Sequence, residues 1–416
     1  MCLRWIGGGF ILMAAGTLAA LERPIPPLPP PTGKTVTVSD AAELKRAAEH
    51  AAPGTTILVA DGTYAIDEPI YLRRRSNVTI RGAAGDPAKA TLRGKGFAVE
   101  GPTALLQVGD SEQITIADLG FADCRSYGLK VEAENFAKEV HVYHCHFRDI
   151  GVRAIKGSSS PEGKAVGGSI RHCRFENTQI PPAGWLFGGN YISAIDVMSL
   201  DGWTIADNVF VNIKGRTGGG RGAIFVWVRS KNVTIERNLI VGCDRGIALG
   251  NPSGSSNFVA GAPHVADSIV RNNFIVAGSD APIEVWWAAN VKILHNTVWC
   301  EDARGIALSG GDKQWKLERI EVTNNLFRGA IKLSSDVNEK NNLTAPLDGC
   351  FADPKNGDLR LTQAAVKAIG KAVPLADVKD DFAGGARDAA PDLGASEFGA
   401  SKPATPEPAK KKWVLP

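Results

Sequence analysis

The sequence predicts an all-β fold: a single-stranded, right-handed parallel β-helix (a solenoid) with an α-helix capping its N-terminal end. Three observations lead to this prediction. A segment made of a short strand, an asparagine and a second apolar run recurs at intervals of 23 to 36 residues, and a further alternating strand ends each repeat. Glycine accounts for 46 of the 416 residues, above the usual ~7%, which indicates many tight turns. Repeats of this length stack, because none can bury its apolar side alone.

The recurring segment has the pattern of strands and not of a helix. Its nine copies begin at Val78, Ile114, Val140, Gly168, Trp203, Val233, Ser268, Val291 and Ile320. In the copy that begins at Val233 the apolar residues alternate mostly with a period of two, and no copy keeps the 3.6-residue period of a helix. Two to three short strands in each repeat make one coil of a β-helix, so we expect roughly ten coils.

A column of asparagines occupies one position of the repeat. Its members are Asn208, Asn238, Asn273, Asn296 and Asn325, and Cys145 and Cys173 hold the same position in two earlier copies. Asparagine tolerates the left-handed backbone conformation of a sharp turn, and stacked amides can hydrogen-bond along the solenoid axis. We therefore expect a structural ladder and not a catalytic column.

The ends of the chain differ in composition from the repeats. Residues 1–20 combine Arg4 with an apolar run and a small-residue cleavage site, which is typical of a signal peptide, so we expect a secreted protein (periplasmic, extracellular or cell-surface). We expect no membrane span, because no later apolar segment is long enough. The predicted divisions are a signal peptide at 1–20, a proline-rich linker at 21–35, the β-helix at 36–345, a C-terminal cap at 346–400 and a flexible basic tail at 401–416.

The N-terminal cap is predicted at residues 39–52. Asp40 and Glu43 form a capping-box-like start, and Leu44 and Ala48 lie on one face of the helix. A helix in this place would cover the strand edges that an open end of a β-helix exposes.

The charge balance restricts the partners of this protein. Its 47 basic and 44 acidic residues give a net charge of +3, which provides no general attraction for nucleic acid. We expect a monomer with no nucleic-acid partner and no evident cofactor. His141 and His144 lack a third ligand at a useful spacing, so no metal ligand is assigned. Whether calcium is a cofactor is left open, because no motif in the sequence supports calcium binding.

Side chains along a β-strand point alternately to its two faces, and we call this alternation strand parity. It selects the candidate site from the last strand of each repeat. The residues predicted to point inward are Leu129, Ile155, Ile195, Ile224, Ile247, Ile283 and Ile306. Those predicted to point outward, one per coil, are Lys130, Lys156, Asp196, Phe225, Ala248, Glu284 and Ala307. Coils lie about 4.8 Å apart, so Asp196 and Glu284 are separated by about 14 Å, wider than the ~5 to ~9.5 Å between two hydrolytic carboxylates. Hydrolysis is therefore the weaker enzymatic alternative.

The segment VTVSDAAELKRAAEHAAPGTTILVADGTY (36–64) and the repeated G-I-x-L and N-x-F/I units resemble secreted β-helix proteins that act on polysaccharides. The segment is most similar to the alginate lyase and chondroitinase B family, and the repeats also resemble pectate lyases. This resemblance implies a polysaccharide lyase that acts by β-elimination on a uronic-acid-containing polymer, bound along the outer face of the sheet formed by the last strands. In the resembling family a lysine and an arginine on adjacent coils act as base and acid, which implies Lys130 with Arg153 or Lys156 with Arg221.

The chemistry of elimination selects similar residues. A base must remove the proton α to the carboxylate, and positive charge must stabilise the enolate-like intermediate. Lys130 and Lys156 are close like charges, which favours a neutral amine on one of them. Asp196 belongs to the same charged column. Arg153, just before its strand, and Arg216 and Arg221, in the glycine-rich turn 215–222, are the candidates to bind a carboxylate bidentately.

The expected partner is an acidic polysaccharide. Besides Arg216, the predicted substrate-binding residues are Trp227 and Trp286, which face outward, Trp185 and Tyr191 in the long loop 179–191, and Glu284. Tyr191 or Tyr127 is a candidate proton donor. The alternative function is a non-catalytic carbohydrate-binding or cell-surface structural β-helix, and a glycoside hydrolase ranks below both.

Overall fold

The computed structural model describes residues 21, 24–252, 261–276, 278–302, 305–312, 314, 316–334, 336–344 and 347–399. These residues form a right-handed parallel β-helix with three long parallel sheets, which confirms the predicted fold class. The predicted signal peptide and basic tail lie outside the described residues.

The chain passes through sheets A, B and C in that order in each coil. Sheet A has 14 strands, because some coils contribute two short ones: Thr35–Val38, Thr56–Val59, Ser76–Gly82, Glu112–Ala117, Lys138–Tyr143, Ala165–Arg171, Leu200–Ala206, Ser230–Lys231, Thr234–Glu236, Val265–Arg271, Ala288–Leu294, Leu317–Glu318, Ile320–Thr323 and Val337–Lys340. Sheet B has ten: Gly62–Ala65, Ala90–Arg93, Gly120–Cys124, His146–Ile150, Arg174–Glu176, Val209–Val211, Leu239–Val241, Phe274–Val276, Thr297–Trp299 and Leu326–Arg328.

Sheet C is formed by the last strand of each repeat. Its ten strands are Ile70–Arg73, Ala104–Gly109, Tyr127–Glu132, Arg153–Ser158, Ser193–Met198, Gly222–Trp227, Ile247–Leu249, Ile283–Val285, Ile306–Gly310 and Ala330–Leu333. Ten strands in sheet B and in sheet C confirm the expected number of coils. Outside the three sheets, Phe351–Asp353 and Asp358–Leu361 pair antiparallel. Within the described residues, the helical segments are Ala41–His50 and the 3-10 turns Ala133–Asn135 and Pro354–Asn356. Leu186–Gly189 is a single turn in which Phe187 and Gly188 have positive φ.

Sheet A stacks the repeats in the register that the sequence predicted. Val78 pairs with Ile114, and Ile114 pairs with Val140. Near the other end of the solenoid, Ser268 pairs with Val291. The register is fixed because a slip by one residue would turn every apolar side chain of a strand outward.

The asparagine column forms the expected ladder at the turn between sheets A and B. Nδ2 of Asn208 donates to Oδ1 of Asn238, and equivalent bonds of 2.9–3.1 Å continue the ladder as far as Asn342. The left-handed conformation belongs to the preceding residue of the turn: φ is 63° at Asp207 and 53° at Arg237. The expectation that the asparagines themselves adopt it was therefore wrong.

Apolar side chains fill the interior in layers that follow the coils. The rings of Phe121, Phe147, Phe175 and Phe210 stack with centroids 4.6–4.9 Å apart and planes within 9° of parallel. This spacing matches the ~4.8 Å between parallel strands. The solenoid therefore brings equivalent residues of successive repeats into direct contact.

The helix Ala41–His50 closes the N-terminal end, as predicted. Its Leu44 and Ala48 are completely buried. The Asp40 carboxylate accepts a hydrogen bond from the backbone N–H of Glu43 at 2.8 Å, and the Glu43 carboxylate accepts one from the N–H of Ser39 at 2.9 Å. These reciprocal bonds satisfy N–H groups that the first turn of a helix leaves without partners.

The segment 347–399 packs along the outer face of sheet B. Phe382 stacks on Phe274 with centroids 4.0 Å apart, and Phe351 meets Trp299 edge to face at 5.8 Å. Its apolar contacts form a cluster with sheet B residues that is separate from the interior of the solenoid. The candidate site on sheet C therefore lies on a different face of the molecule.

Candidate functional site

The charged column of sheet C stacks in the predicted order. Lys130 pairs with Lys156, and Lys156 pairs with Asp196, on three successive coils. Phe225, Ala248 and Glu284 continue the column, one per coil. Their predicted inward neighbours, Leu129, Ile155, Ile195, Ile224, Ile247 and Ile283, are completely buried. Strand parity is thus confirmed as far as Ile283, and the column lies on the outer face of sheet C.

Parity fails in the next strand, Ile306–Gly310. Ile306 is 36% exposed, whereas Ala307, predicted to point outward, is buried together with Leu308. The register shifts between Ile306 and Leu308, so that Ser309 pairs with Glu284 and takes the outward position. An irregularity of this kind inserts an extra residue and redirects the side chains that follow.

Asp196 is the centre of a buried ion-pair network. Its Oδ2 lies 2.5 Å from Nε of Arg153, and its Oδ1 lies 3.0 Å from both Nζ of Lys156 and Nε1 of Trp227. Asp196 is 1% exposed and Arg153 is 0% exposed. Burial alone would raise the pKa of Asp196, but the charges of Lys156 and Arg153 outweigh it and lower that pKa to about 2. The carboxylate is therefore ionised at neutral pH.

The two lysines of the column have different surroundings. Burial lowers the pKa of Lys156, against the opposing charge of Asp196. Burial acts in the same direction on Lys130, but Glu134 and Glu132 outweigh it and raise the pKa of Lys130. The Lys130 Nζ lies 3.2 Å from Glu134 and 3.3 Å from Glu132. Of the two lysines, Lys156 is thus the one that loses its proton at the lower pH. Sequence reasoning missed both glutamates, although they follow Lys130 by two and four residues and could have been found by parity.

Two tyrosines border the network. The ring of Tyr191 lies 3.9 Å from the guanidinium carbon of Arg153 and covers it. Tyr127 pairs with Arg153 on the neighbouring coil. Burial raises the pKa of Tyr127, with Tyr191 acting in the same direction and Arg153 opposing. The phenol of Tyr127 therefore stays protonated near neutral pH and can donate a proton.

Arg221 lies next to this network without a carboxylate partner. Its Nη2 donates to Oδ1 of Asn251 at 2.7 Å, and its guanidinium lies over the Phe225 ring at 5.1 Å. Within the described part of the chain, no carboxylate oxygen lies within 4 Å of it. Burial lowers the pKa of Arg221, and the charges of Arg245 and Arg153 lower it further, while the charges of Asp196 and Glu284 oppose the shift. A half-buried guanidinium without a carboxylate in direct contact is a favourable site for an anion.

Aromatic rings extend this surface. Phe225 stacks on Trp227 with centroids 5.2 Å apart and planes 12° from parallel. Trp227 is half-buried and faces outward, as predicted. Flat aromatic surface beside a cation suits a ligand that carries both a ring face and a negative charge.

The other candidates lie outside this cluster. Trp185 stacks at 5.4 Å on Phe97, which lies in the segment between Ala90–Arg93 and Ala104–Gly109. Arg216 is exposed on the glycine-rich turn. Glu284 lies three coils from Asp196, with Trp286 two residues further along the chain, and it pairs with Arg245 at 3.0 Å. Burial raises the pKa of Glu284, while Arg245 opposes the shift.

Among the described residues, no three His, Cys, Asp or Glu side chains lie together in an arrangement that could hold a metal ion. None of the helices in the described ranges has the length and apolar character that crossing a bilayer requires.

The sequence matches no family model and no curated protein. Several solved structures are nevertheless similar in fold. An alginate lyase from Paenibacillus sp. str. FPU-7 matches 74% of this chain and 98% of its own, with 16% identity and a TM-score of 0.50. Pectate lyase Pel9A matches 88% of this chain and 97% of its own, with 13% identity and a TM-score of 0.49.

A third similar structure is a PL6 alginate lyase in complex with a trisaccharide, which matches 72% of each chain with 15% identity and a TM-score of 0.46. At these identities the similarity concerns the fold. The Paenibacillus alginate lyase thus supports the assignment of this chain to the parallel β-helix fold, and the chemistry has to be argued from the residues of sheet C.

Proposed function

We propose that this protein cleaves a uronic-acid-containing polysaccharide by β-elimination on the outer face of sheet C. The observation that carries the proposal is Arg221, a half-buried guanidinium with no carboxylate within 4 Å among the described residues. It lies beside a lysine of lowered pKa, Lys156, and beside the aromatic pair Phe225 and Trp227. Similarity in fold to an alginate lyase adds support.

In the proposed reaction, Arg221 binds the uronate carboxylate, and the sugar ring packs on Trp227. The neutral amine of Lys156 removes the proton from the carbon α to the carboxylate. The C–H electron pair forms a double bond to the neighbouring carbon, and the bond from that carbon to the glycosidic oxygen breaks. The leaving oxygen takes the proton of the Tyr127 hydroxyl. The positive charge of Arg221 stabilises the intermediate, in which negative charge moves onto the carboxylate.

The test is to incubate the purified protein with alginate, pectate or chondroitin sulfate and follow the ultraviolet absorbance of unsaturated products. We expect Lys156→Met to lower the rate by at least about 100-fold, the usual contribution of a general base. The matched control is Lys332→Met, because Lys332 is an exposed lysine of the same outward column on the last coil. Reactions with EDTA and with added Ca²⁺ test the expectation that no cofactor is needed.

The pH dependence provides a second measurement. The base acts only when neutral, so the rate should rise with pH and level off above the pKa of Lys156, which lies below the ordinary 10.5 of a lysine. If no uronate polymer gives an increase in absorbance, the lyase proposal is abandoned. Equal rates for the Lys156 and Lys332 variants would show that another group is the base.

A second candidate function is non-catalytic binding of the same polymers by a secreted protein. It is favoured by one observation: Asp196 already pairs with both Arg153 and Lys156, and Lys156 is 7% exposed. This function predicts that immobilised uronate polymer retains the protein while no product forms. A hydrolase would instead release new reducing ends without the absorbance of unsaturated sugars.

A further inference from the structure

We infer that Asp244 is a positioning residue that holds the glycine-rich turn, so that Arg221 binds the substrate carboxylate and the exposed Arg216 is presented to the same polymer. This inference rests on the proposed function, because it assigns these two arginines to an anionic sugar. It adds Asp244, a residue of the neighbouring coil whose side chain contacts the backbone of the glycine-rich turn.

The Asp244 carboxylate is bound by the backbone of the turn. Its Oδ2 accepts hydrogen bonds from the N–H of Gly215 at 2.7 Å and from the N–H of Gly220 at 2.9 Å. Each of these glycines directly precedes one of the two arginines. The Asp244 Oδ1 lies 2.8 Å from Oγ of Ser279, and Asp244 is 3% exposed. One buried carboxylate oxygen therefore connects both ends of the turn.

The turn needs such a connection because of its composition. Five of its eight residues, GRTGGGRG at 215–222, are glycine. A glycine-rich segment loses more conformational entropy on ordering than other sequences, so it samples many conformations unless it is held. The turn has further contacts with the preceding coil. Asn190 bonds Thr217 through Oδ1 at 3.2 Å and through Nδ2 at 2.7 Å, and the N–H of Arg221 donates to the carbonyl oxygen of Ile192 at 2.8 Å.

The Asp244 carboxylate is hydrogen-bonded by backbone amides and forms no ion pair with Arg216 or Arg221. Among the described residues, neither Arg216 nor Arg221 has a carboxylate within 4 Å. The neighbouring Arg245, in contrast, is neutralised by Glu284 at 3.0 Å and by Asp280. Asp244 thus orders the turn while it leaves the two arginines available to an external anion, as backbone amides arranged around an oxygen allow.

The expected consequence concerns affinity more than turnover. When a binding-competent conformation is only partly populated, the apparent affinity falls by that fraction. We expect Asp244→Asn to raise KM for the uronate polymer about tenfold, with kcat changed less than about threefold. The control is Asp201→Asn, because Asp201 is a partly exposed aspartate of sheet A that pairs with Lys231.

Limited trypsin digestion of the folded protein measures the turn independently of any ligand. Trypsin cuts after arginine, and cleavage of a folded protein follows the population of the open form. We expect cleavage after Arg216 and Arg221, followed by mass spectrometry, to be about tenfold faster in Asp244→Asn and moderately faster in Ser279→Ala. The milder Ser279 variant keeps the test valid if Asp244→Asn does not fold.

The outcomes separate the inference from the proposed function. Unchanged KM and unchanged tryptic cleavage in both variants would overturn the inference while leaving the lyase intact. Faster cleavage with an unchanged KM would overturn the assignment of the turn to substrate binding. If the unmodified protein neither binds nor cleaves any uronate polymer, the proposed function fails together with the ligand assignment, and the trypsin rates alone then decide whether Asp244 holds the turn.

Discussion

Replacement of Asp196 by asparagine removes the negative charge that two buried cations share. Asp196 lies 2.5 Å from Arg153 and 3.0 Å from Lys156, and its own exposure is 1%. Removal of one partner of a buried ion pair costs about 3–5 kcal/mol, because the remaining charge stays buried without compensation. Lys156 can relieve part of this cost by losing its proton, since burial already lowers its pKa. Arg153 cannot, so we expect a loss of about 3 kcal/mol in the free energy of unfolding at pH 7.

The same substitution changes the pH dependence of stability. The pKa of Asp196 is lowered from an ordinary 3.8 to about 2 in the folded protein. Its stabilising contribution is therefore complete above about pH 4 and is lost as the pH falls through about 2. The shift corresponds to about 2–3 kcal/mol. We expect the difference in stability between the unmodified protein and Asp196→Asn to narrow by about that amount between pH 5 and pH 2.

The assay is urea-induced unfolding followed by far-ultraviolet circular dichroism. Tryptophan fluorescence adds a local signal, because Trp227 donates to Asp196 at 3.0 Å. The control is Asp201→Asn, whose partly exposed ion pair with Lys231 at 3.3 Å should contribute at most about 1 kcal/mol. The reasoning is refuted if Asp196→Asn and Asp201→Asn differ by less than about 1 kcal/mol at pH 7, or if the difference from the unmodified protein stays constant down to pH 2.

Two further predictions concern the scaffold. Asn273→Ala removes the oxygen that accepts from the backbone N–H and the Nδ2 of Asn238 at 3.0 Å. The buried backbone N–H and one hydrogen of Nδ2 then lack an acceptor, which should cost about 2–4 kcal/mol in the free energy of unfolding, measured with urea. The control is Asn338→Ala, at an exposed asparagine, and a loss below about 1 kcal/mol would contradict the ladder as a stabilising element. Phe382→Ala removes the ring stacked 4.0 Å from Phe274, and it should speed amide hydrogen exchange in residues 347–399 while sheet C keeps its protection. The control is Phe398→Ala, at a side chain that is 43% exposed, which should change exchange in neither region. Equal acceleration in residues 347–399 and in sheet C would argue against separate packing of the two.

The fold could be predicted because the repeat encodes it several times over. Each copy supplies the same strand pattern, so errors in one copy are corrected by the others, and alignment of the copies gave the register of sheet A directly. Features that depend on a single residue of the turn could be predicted less well. The left-handed residue is Asp207 and not Asn208, because the asparagine side chain is needed in the ladder. The residue before the ladder position makes the turn, and in most copies it is Asp, Asn or His, which tolerate the left-handed conformation.

The site could be predicted in part, for a related reason. Parity gives the direction of a side chain, and it placed Lys130, Lys156 and Asp196 on one face correctly. It gives no information about partners brought in by turns or loops, such as Tyr191 over Arg153. It also fails where an extra residue enters a strand, as at Ile306. The role inferred for Asp244 could not be predicted from strand parity, because its carboxylate binds backbone amides and every sequence contains these.

The ion pairs within the column change the order of importance among the candidate residues. Column residues lie about one coil spacing, ~4.8 Å, from each other, so opposite charges on neighbouring coils neutralise one another, as Lys156 and Asp196 do. A regular column therefore uses much of its charge to hold the fold together. Arg216 and Arg221 lie instead on the glycine-rich turn, a segment that interrupts the repeat. The proposed function therefore predicts that recognition of the polymer depends more on this turn than on Lys130 and Lys156.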